Sequence, residues 1–243
     1  MLFGSEDVRI VLVRPRNPLN IAAAARAMRN FGLEDFAVVA PYEPVWQDAR
    51  AAPGAEELLS SARVVPRLAD AIQDRTLILG TSSLARRKPA LPVVALDQLS
   101  RYGKKWKRPE RLAILFGSEK TGLSNKDLSF CAAILRIPTA EECPSMNLGQ
   151  AVAVCCYELR RLPVPRRAAP SEGSSRASAG EVVRLLEEIE KLLGQEKELE
   201  TARARARSVH LRRMFLRWSP TSQDVTLFLG ILRDLSRRLR PKP

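Results

Sequence analysis

Four stretches of the chain combine small residues with side chains able to bind or polarise a ligand: "RPRNPLNIAAAAR" (residues 14–26), "TSSLARRKP" (81–89), "GSEKTGLS" (117–124) and "PTAEECPSMNLGQA" (138–151). The first carries Asn20 and Arg26, the second Thr81, Ser82 and Ser83, and the third Gly117 and Glu119. The fourth carries Pro144, Ser145, Met146 and Asn147, with Ile137 just ahead of it. Hydroxyls and carboxamides can hold a polar ligand, a carboxylate can orient donors, and a guanidinium can bind an anionic oxygen or steady charge developing on one. Arg26 is the unexpected member, because it interrupts a run of alanines that otherwise reads as a buried helix.

Read singly, each of these residues also has a plain structural explanation. Arg26 can snorkel at a helix rim, Glu119 can be a solvated loop carboxylate, and Ser145 and Asn147 can cap the helix that follows. Asn20 and Arg26 are six residues apart, so they do not share a helix face, but both can border one crevice if Asn20 caps the helix and Arg26 lies in its second turn. The joint occurrence of such residues after successive strands favours a site.

Those strands are short aliphatic runs, "VRIVLV" (8–13), "FAVVA" (36–40), "TLILG" (76–80), "LAILF" (112–116) and "AAILRI" (132–137). They alternate with helical patterns at 19–31, 55–62, 67–73 and 148–161, with Asn20 expected to cap the first helix and Gly32 to end it. The alternation predicts an α/β fold, a largely parallel sheet with helices on both faces. Ligands of such sheets bind beyond the carboxyl ends of the strands, where the four stretches fall.

Two familiar phosphate motifs are excluded. "GSEKTGLS" has glycines at the separation of a nucleotide P-loop, but Leu123 and Ser124 stand where Lys-Ser/Thr is required. No strand is followed by G-x-G-x-x-G, which argues against hydride transfer with a nicotinamide cofactor.

The formal net charge of +13 points to a polyanionic partner, nucleic acid first. Candidate RNA contacts are Arg86, Arg87 and Lys88, then Lys104, Lys105, Lys107 and Arg108 around Trp106, and Arg212 and Arg213 in the tail. Solvated loops account for the first two clusters equally well. The four cysteines have no C-x-x-C spacing and His210 is the only histidine, so no metal site is expected. Reduced thiols in a cytosolic protein, with no export signal or membrane span, are the expectation.

Residues 1–161 read as the sheet domain, and 162–180, rich in Pro, Ser, Gly and Arg, as a linker. Residues 181–243 read as a small helical unit, with Thr221 and Asp224 in a capping-box arrangement. From 162 onward there are 17 Lys and Arg against 10 Asp and Glu, a net of +7, so the basic surface is shared by both parts.

Taken together, "NIAAAARAMRNFGL", "LAILFGSEKTGLS" and "LRIPTAEECPSMNLGQAVAVCCYEL" resemble the motifs of the SPOUT superfamily of RNA methyltransferases, in its SpoU/TrmH branch, over residues 8–160. The tail "HLRRMFLRW" and the final amphipathic helix are similar to those of TrmJ-type tRNA ribose methyltransferases. The resemblance implies a C-terminal trefoil knot that forms a pocket for S-adenosylmethionine, and a homodimer with a composite active site. It also implies 2′-O-ribose methylation of tRNA, in the anticodon loop at position 32, with the helical tail adding RNA-binding surface. A ribosomal RNA methyltransferase of the same branch and a non-catalytic RNA-binding protein of the same fold are the alternatives.

Carried over by position, the cofactor would be bound by Thr81, Ser82, Ser83, Gly117, Ile137, Pro144, Ser145 and Met146. Asn20, Glu119, Ser145 and Asn147 match positions that shape the pocket or hold the catalytic arginine, and Arg26 matches that arginine. Ala22 stands where the family often has Gly, a small change that suits a helix.

Overall fold

A computed structural model describes residues 4–50, 53–84, 90–103, 111–161, 175–193 and 202–239. The strands are β1 (Val8–Val13), β2 (Asp35–Val39), β3 (Arg63–Val65), β4 (Leu77–Thr81), β5 (Val93–Ala95), β6 (Leu112–Phe116) and β7 (Ala133–Arg136). The helices of the sheet domain are α1 (Pro18–Asn30), α2 (Glu43–Arg50), α3 (Glu56–Ser61), α4 (Leu68–Ile72), α5 (Leu99–Gly103), α6 (Asn125–Leu128) and α7 (Leu148–Arg161). The tail adds α8 (Ala179–Leu192), α9 (Ala202–Trp218) and α10 (Ser222–Leu239).

All strands run parallel in the order β3-β2-β1-β6-β4-β7-β5. Every residue of β1 and β6 is buried, as near-continuous aliphatic runs require when both faces of a sheet are covered, and the one charge among them, Arg9, is paired with Asp35 and Asp74. Alternation along the strands separates two cores. Ile10, Leu12, Val38, Ile114 and Phe116 face α1, α2, α3 and α7, whereas Val11, Val13, Ala113 and Leu115 face α4 and α6.

The alanines of α1 serve a close helix pair. A Cβ on Gly149 of α7 would lie 2.6 Å from Ala23 Cβ, so both positions must be small for the helices to pack this tightly. Asn17, not Asn20, caps α1: its Oδ1 accepts from the Leu19 amide at 2.9 Å, and Pro18 occupies the first helical turn. Asn20 lies one turn inside, only 8% exposed, which frees its side chain for the interior. Gly32, at φ 69°, ends the helix in the left-handed conformation that favours glycine.

The tail has its own core, with Val182, Leu185, Leu186, Phe215, Val225 and Leu229 buried together. Its capping boxes are formed, Ser178 with Glu181 and Thr221 with Asp224. It is also fastened to the sheet domain. The amides of Ala179 and Gly180 donate to the carbonyls of Arg75 (2.8 Å) and Gln73 (2.9 Å), and Ala179 joins the core against α4. Within residues 175–180, read from sequence as the end of a linker, the Ala177 amide bonds the Pro220 carbonyl and Ser178 caps α8, which starts at Ala179.

Candidate functional site

The carboxyl ends of β6, β4 and β7 are neighbours, and the loops leaving them enclose a cavity of about 1120 Å³. Every proposed cofactor position lines it: Thr81, Ser82, Ser83, Gly117, Ile137, Pro144, Ser145 and Met146. Asn20, Glu119 and Asn147 line it too.

The last three are joined by hydrogen bonds. Asn147 Nδ2 donates to Asn20 Oδ1 at 2.8 Å, and Asn20 Nδ2 donates to Glu119 Oε1 at 2.8 Å. Asn147 Oδ1 also accepts from the amides of Gly149 and Gln150, so the residue caps α7 while it reaches Asn20. Glu119 completes the assembly by accepting from the amides of Arg16 (3.0 Å) and Asn17 (3.2 Å). One carboxylate thereby ties the loop after β6 to the loop after β1, and Asn20 ties both to the start of α7.

A second tie lies beside it. The Arg14 guanidinium pairs with Asp127, whose carboxylate also accepts from the amide and hydroxyl of Ser124 and so caps α6. Burial alone would raise the Asp127 pKa, but these donors outweigh it and hold the carboxyl below its ordinary value. Arg14 reaches Asp127 from a left-handed backbone, φ 53°, immediately after β1. Sequence reasoning found neither Arg14 nor the two amides that hold Glu119. Capture by backbone N–H groups leaves no mark on residue type.

Other groups shape the walls. Thr81 Oγ1 donates to the Leu115 carbonyl at 2.9 Å, so this hydroxyl joins β4 to β6 and keeps its acceptor lone pairs. Ser82 Oγ accepts from the Leu84 amide and folds the next turn. Thr139 Oγ1 donates to the Pro144 carbonyl at 3.2 Å and closes the loop that presents Ser145 and Met146. Gly117 is required: a Cβ there would lie 2.1 Å from the carbonyl carbon of Gly122 and 2.2 Å from the Leu123 amide nitrogen, so the loop doubles back onto bare backbone.

Arg26 is placed differently from the expectation that it borders the same crevice as Asn20. It is exposed on α1, does not line the cavity of its own chain, and lies over Gly54, where a Cβ would be 3.6 Å from Arg26 Nε. Six residues turn it away from Asn20 around the helix.

Of the expected RNA contacts, Arg86, Arg87, Lys88, Lys104, Lys105, Lys107 and Arg108 lie outside the described residues. Arg212 is turned toward the sheet domain, stacked on Phe130 and bonded to Ser129. The Nε atoms of Arg212 and Arg213 are both buried. Among the described residues no group of three or more His, Cys, Asp or Glu could hold a metal, and no helix is long and apolar enough to cross a membrane.

Comparison with known proteins places the chain in a family. Residues 7–157, which contain β1 through most of α7, match the SpoU rRNA Methylase family. The tRNA (cytidine/uridine-2'-O-)-methyltransferase TrmJ of Sodalis glossinidius is 30% identical over 240 residues, 97% of this chain and 94% of that protein. The tRNA (cytidine/uridine/adenosine-2'-O-)-methyltransferase TrmJ of Pseudomonas aeruginosa is 30% identical over 253 residues, 97% of this chain and 96% of its own. The crystal structure of TrmJ from Z. mobilis ZM4 superposes with a TM-score of 0.77 at 29% identity, covering 94% of this chain and 98% of that one. With its three motifs gathered around one cavity and similarity to TrmJ along nearly its whole length, the chain belongs to the SpoU methylase family.

Proposed function

We propose that the protein is an S-adenosylmethionine-dependent 2′-O-ribose methyltransferase acting on the anticodon loop of tRNA. The observation that carries this reading is the relay Asn147–Asn20–Glu119, which gathers one residue from each of three sequence motifs at the rim of a single cavity. Naming of the relatives as TrmJ supports the substrate.

The cavity suits the cofactor. Ile137, Met146 and Leu135 supply apolar walls for an adenine ring, and the turns at 81–84 and 144–147 supply polar backbone close by. Its volume slightly exceeds the roughly 300–1,000 Å³ of ordinary small-molecule sites, which leaves room for a target ribose as well. The bound cofactor would supply a methyl group already activated for attack. The protein's own task is then alignment and charge stabilisation. Asn20, Glu119 and Asn147 hold the loops in register, and Ser145 presents a hydroxyl at the exposed rim. Arg26 binds a phosphate next to the target nucleotide and stabilises negative charge developing on the 2′-oxygen, whose proton passes to water or phosphate. A guanidinium stays protonated, so it does not serve as the base.

Arg26 fulfils this role in the cavity of a partner copy, as the family's homodimer with a composite site implies. Its exposure, and its absence from the cavity of its own chain, support that reading. The trefoil knot belongs to the same proposal. It is supported by strand order, since the late strands β6 and β7 insert between strands formed earlier in the chain.

The family match carries an rRNA description, so ribosomal RNA is the second substrate reading. Methyl transfer from labelled S-adenosylmethionine to unmodified tRNA and ribosomal RNA, with nucleoside mapping, decides between them. A 2′-O-methyl mark on ribosomal RNA alone would overturn the tRNA assignment. Cofactor binding without transfer to either RNA would favour a non-catalytic binder.

A further inference from the structure

We infer that Arg212 is a positioning residue that locks the helical tail onto the segment joining two walls of the cavity, and not an RNA contact. Its guanidinium carbon lies 3.9 Å from the centre of the Phe130 ring, and Nη1 donates to Ser129 Oγ at 2.8 Å. One face of the group is thus covered by an aromatic ring and one edge is used by a hydroxyl. Burial disfavours its charge and lowers its pKa, and Glu190 and Glu187 of α8 offset part of that cost. A phosphate is left only the remaining face and edge of the group, and would have the two carboxylates of α8 nearby.

The partners explain the consequence. Ser129 ends α6 and Phe130 leads toward β7. The loop at 117–123 precedes this segment and the loop at 137–147 follows it, and both line the cavity. The tail also has a second anchor, where the Ala179 and Gly180 amides bond the carbonyls of Arg75 and Gln73. One anchor alone leaves a hinge, whereas two on different helices set a direction. Arg212 therefore fixes how the tail lies relative to the cavity before any RNA arrives.

The test compares both sides of the contact in the full chain: Arg212→Ala, Phe130→Leu and the milder Ser129→Ala. Hydrogen exchange is the first readout and does not depend on the proposed activity. Arg212→Ala and Phe130→Leu should each speed exchange in residues 206–218 and 125–131, while β1 and β6 stay protected. The second readout rests on the methyltransferase reading. The KM for unmodified tRNA should rise about three- to thirtyfold, the range of one partly desolvated cation–π contact, with cofactor affinity within about twofold. The salt dependence of tRNA binding should keep its slope.

An RNA contact gives a different pattern. Arg212→Ala would then lower the slope by about one phosphate contact, exchange would not change, and Phe130→Leu would be silent. That pattern, or unchanged exchange in both variants, overturns the inference. Faster exchange in a protein that methylates no RNA would overturn the proposed function and leave the locking role standing.

Discussion

Replacing Asn20 with aspartate keeps its size and removes one hydrogen-bond donor. The amide now gives a proton to Glu119 Oε1 at 2.8 Å while its oxygen accepts from Asn147. In Asn20→Asp the second interaction survives, and the first becomes two carboxylate oxygens at the same separation. Coulomb repulsion at that distance is about 1.5 kcal/mol in water and about 6 kcal/mol at an effective dielectric constant of 20. Glu119 is exposed, which sets the cost toward the lower value.

The pair relieves the repulsion by retaining a proton, so its folded-state pKa rises above the ordinary carboxylate range. A raised folded pKa means that the folded form holds more protons than the unfolded one. The variant's stability deficit is therefore smallest below the ordinary carboxylate pKa of about 4, grows as the pH rises from there through the shifted value by at most about 1.4 kcal/mol per pH unit, and is constant above it. Urea unfolding of both proteins at pH 4, 5 and 8 measures the deficit, and calorimetric titration with S-adenosylmethionine at pH 8 measures the loosening of the cavity. A deficit below about 0.5 kcal/mol at every pH, with unchanged cofactor affinity, would refute the idea that Asn20 joins the loops.

Gly117→Ala should abolish cofactor binding in calorimetry, because the new Cβ would meet the backbone of Gly122 and Leu123 at 2.1–2.2 Å. Thiol labelling of the native protein should modify one cysteine quickly, Cys143. It is exposed, whereas Cys131, Cys155 and Cys156 are buried, and burial pushes the Cys156 thiol up to about 12. Removal of residues 162–243 should lower the unfolding midpoint of the remaining sheet domain, not merely its RNA affinity, since Ala179 and Val183 cover part of the core beside α4. Acid unfolding should begin as the pH falls below about 4. Asp74, held down by Arg75 and Arg9, and Asp127, held down by Arg14 and Ser124, contribute stability above their unfolded pKa that is lost on protonation. Asp127→Asn should reduce that acid sensitivity in the same unfolding curves.

Much of the sheet was legible because complete burial writes itself into residue type. The runs at β1 and β6 and the helix α7 fall where the periodicity predicts them. Strands β3 and β5 were missed since three-residue strands at the sheet edges have no room for a period. Helix α2 was missed because only Trp46 and Ala49 are fully buried, with Val45 half-buried beside them, in an otherwise polar stretch. The cap is Asn17 and not the expected Asn20 because Pro18, whose fixed φ suits the first turn of a helix, places the cap just before it.

The site divides in the same way. Motif residues on loops after strands were found because topology sends all such loops to one end of a parallel sheet. Strand order, and hence which loops touch, is set by packing between distant segments. The cross-ties Arg14–Asp127 and Glu119 to the Arg16 and Asn17 amides became visible only with that order. Arg212 looked like a phosphate contact by charge alone, and its partner Phe130 is more than eighty residues away in sequence.

Methyl transfer from labelled S-adenosylmethionine to unmodified tRNA, with nucleoside mapping and Arg26→Ala measured alongside, tests the proposed activity itself. The account requires a 2′-O-methyl mark in the anticodon loop that the variant fails to make while still binding the cofactor. Methylation of a base, or an Arg26→Ala protein that transfers at the wild-type rate, would contradict it.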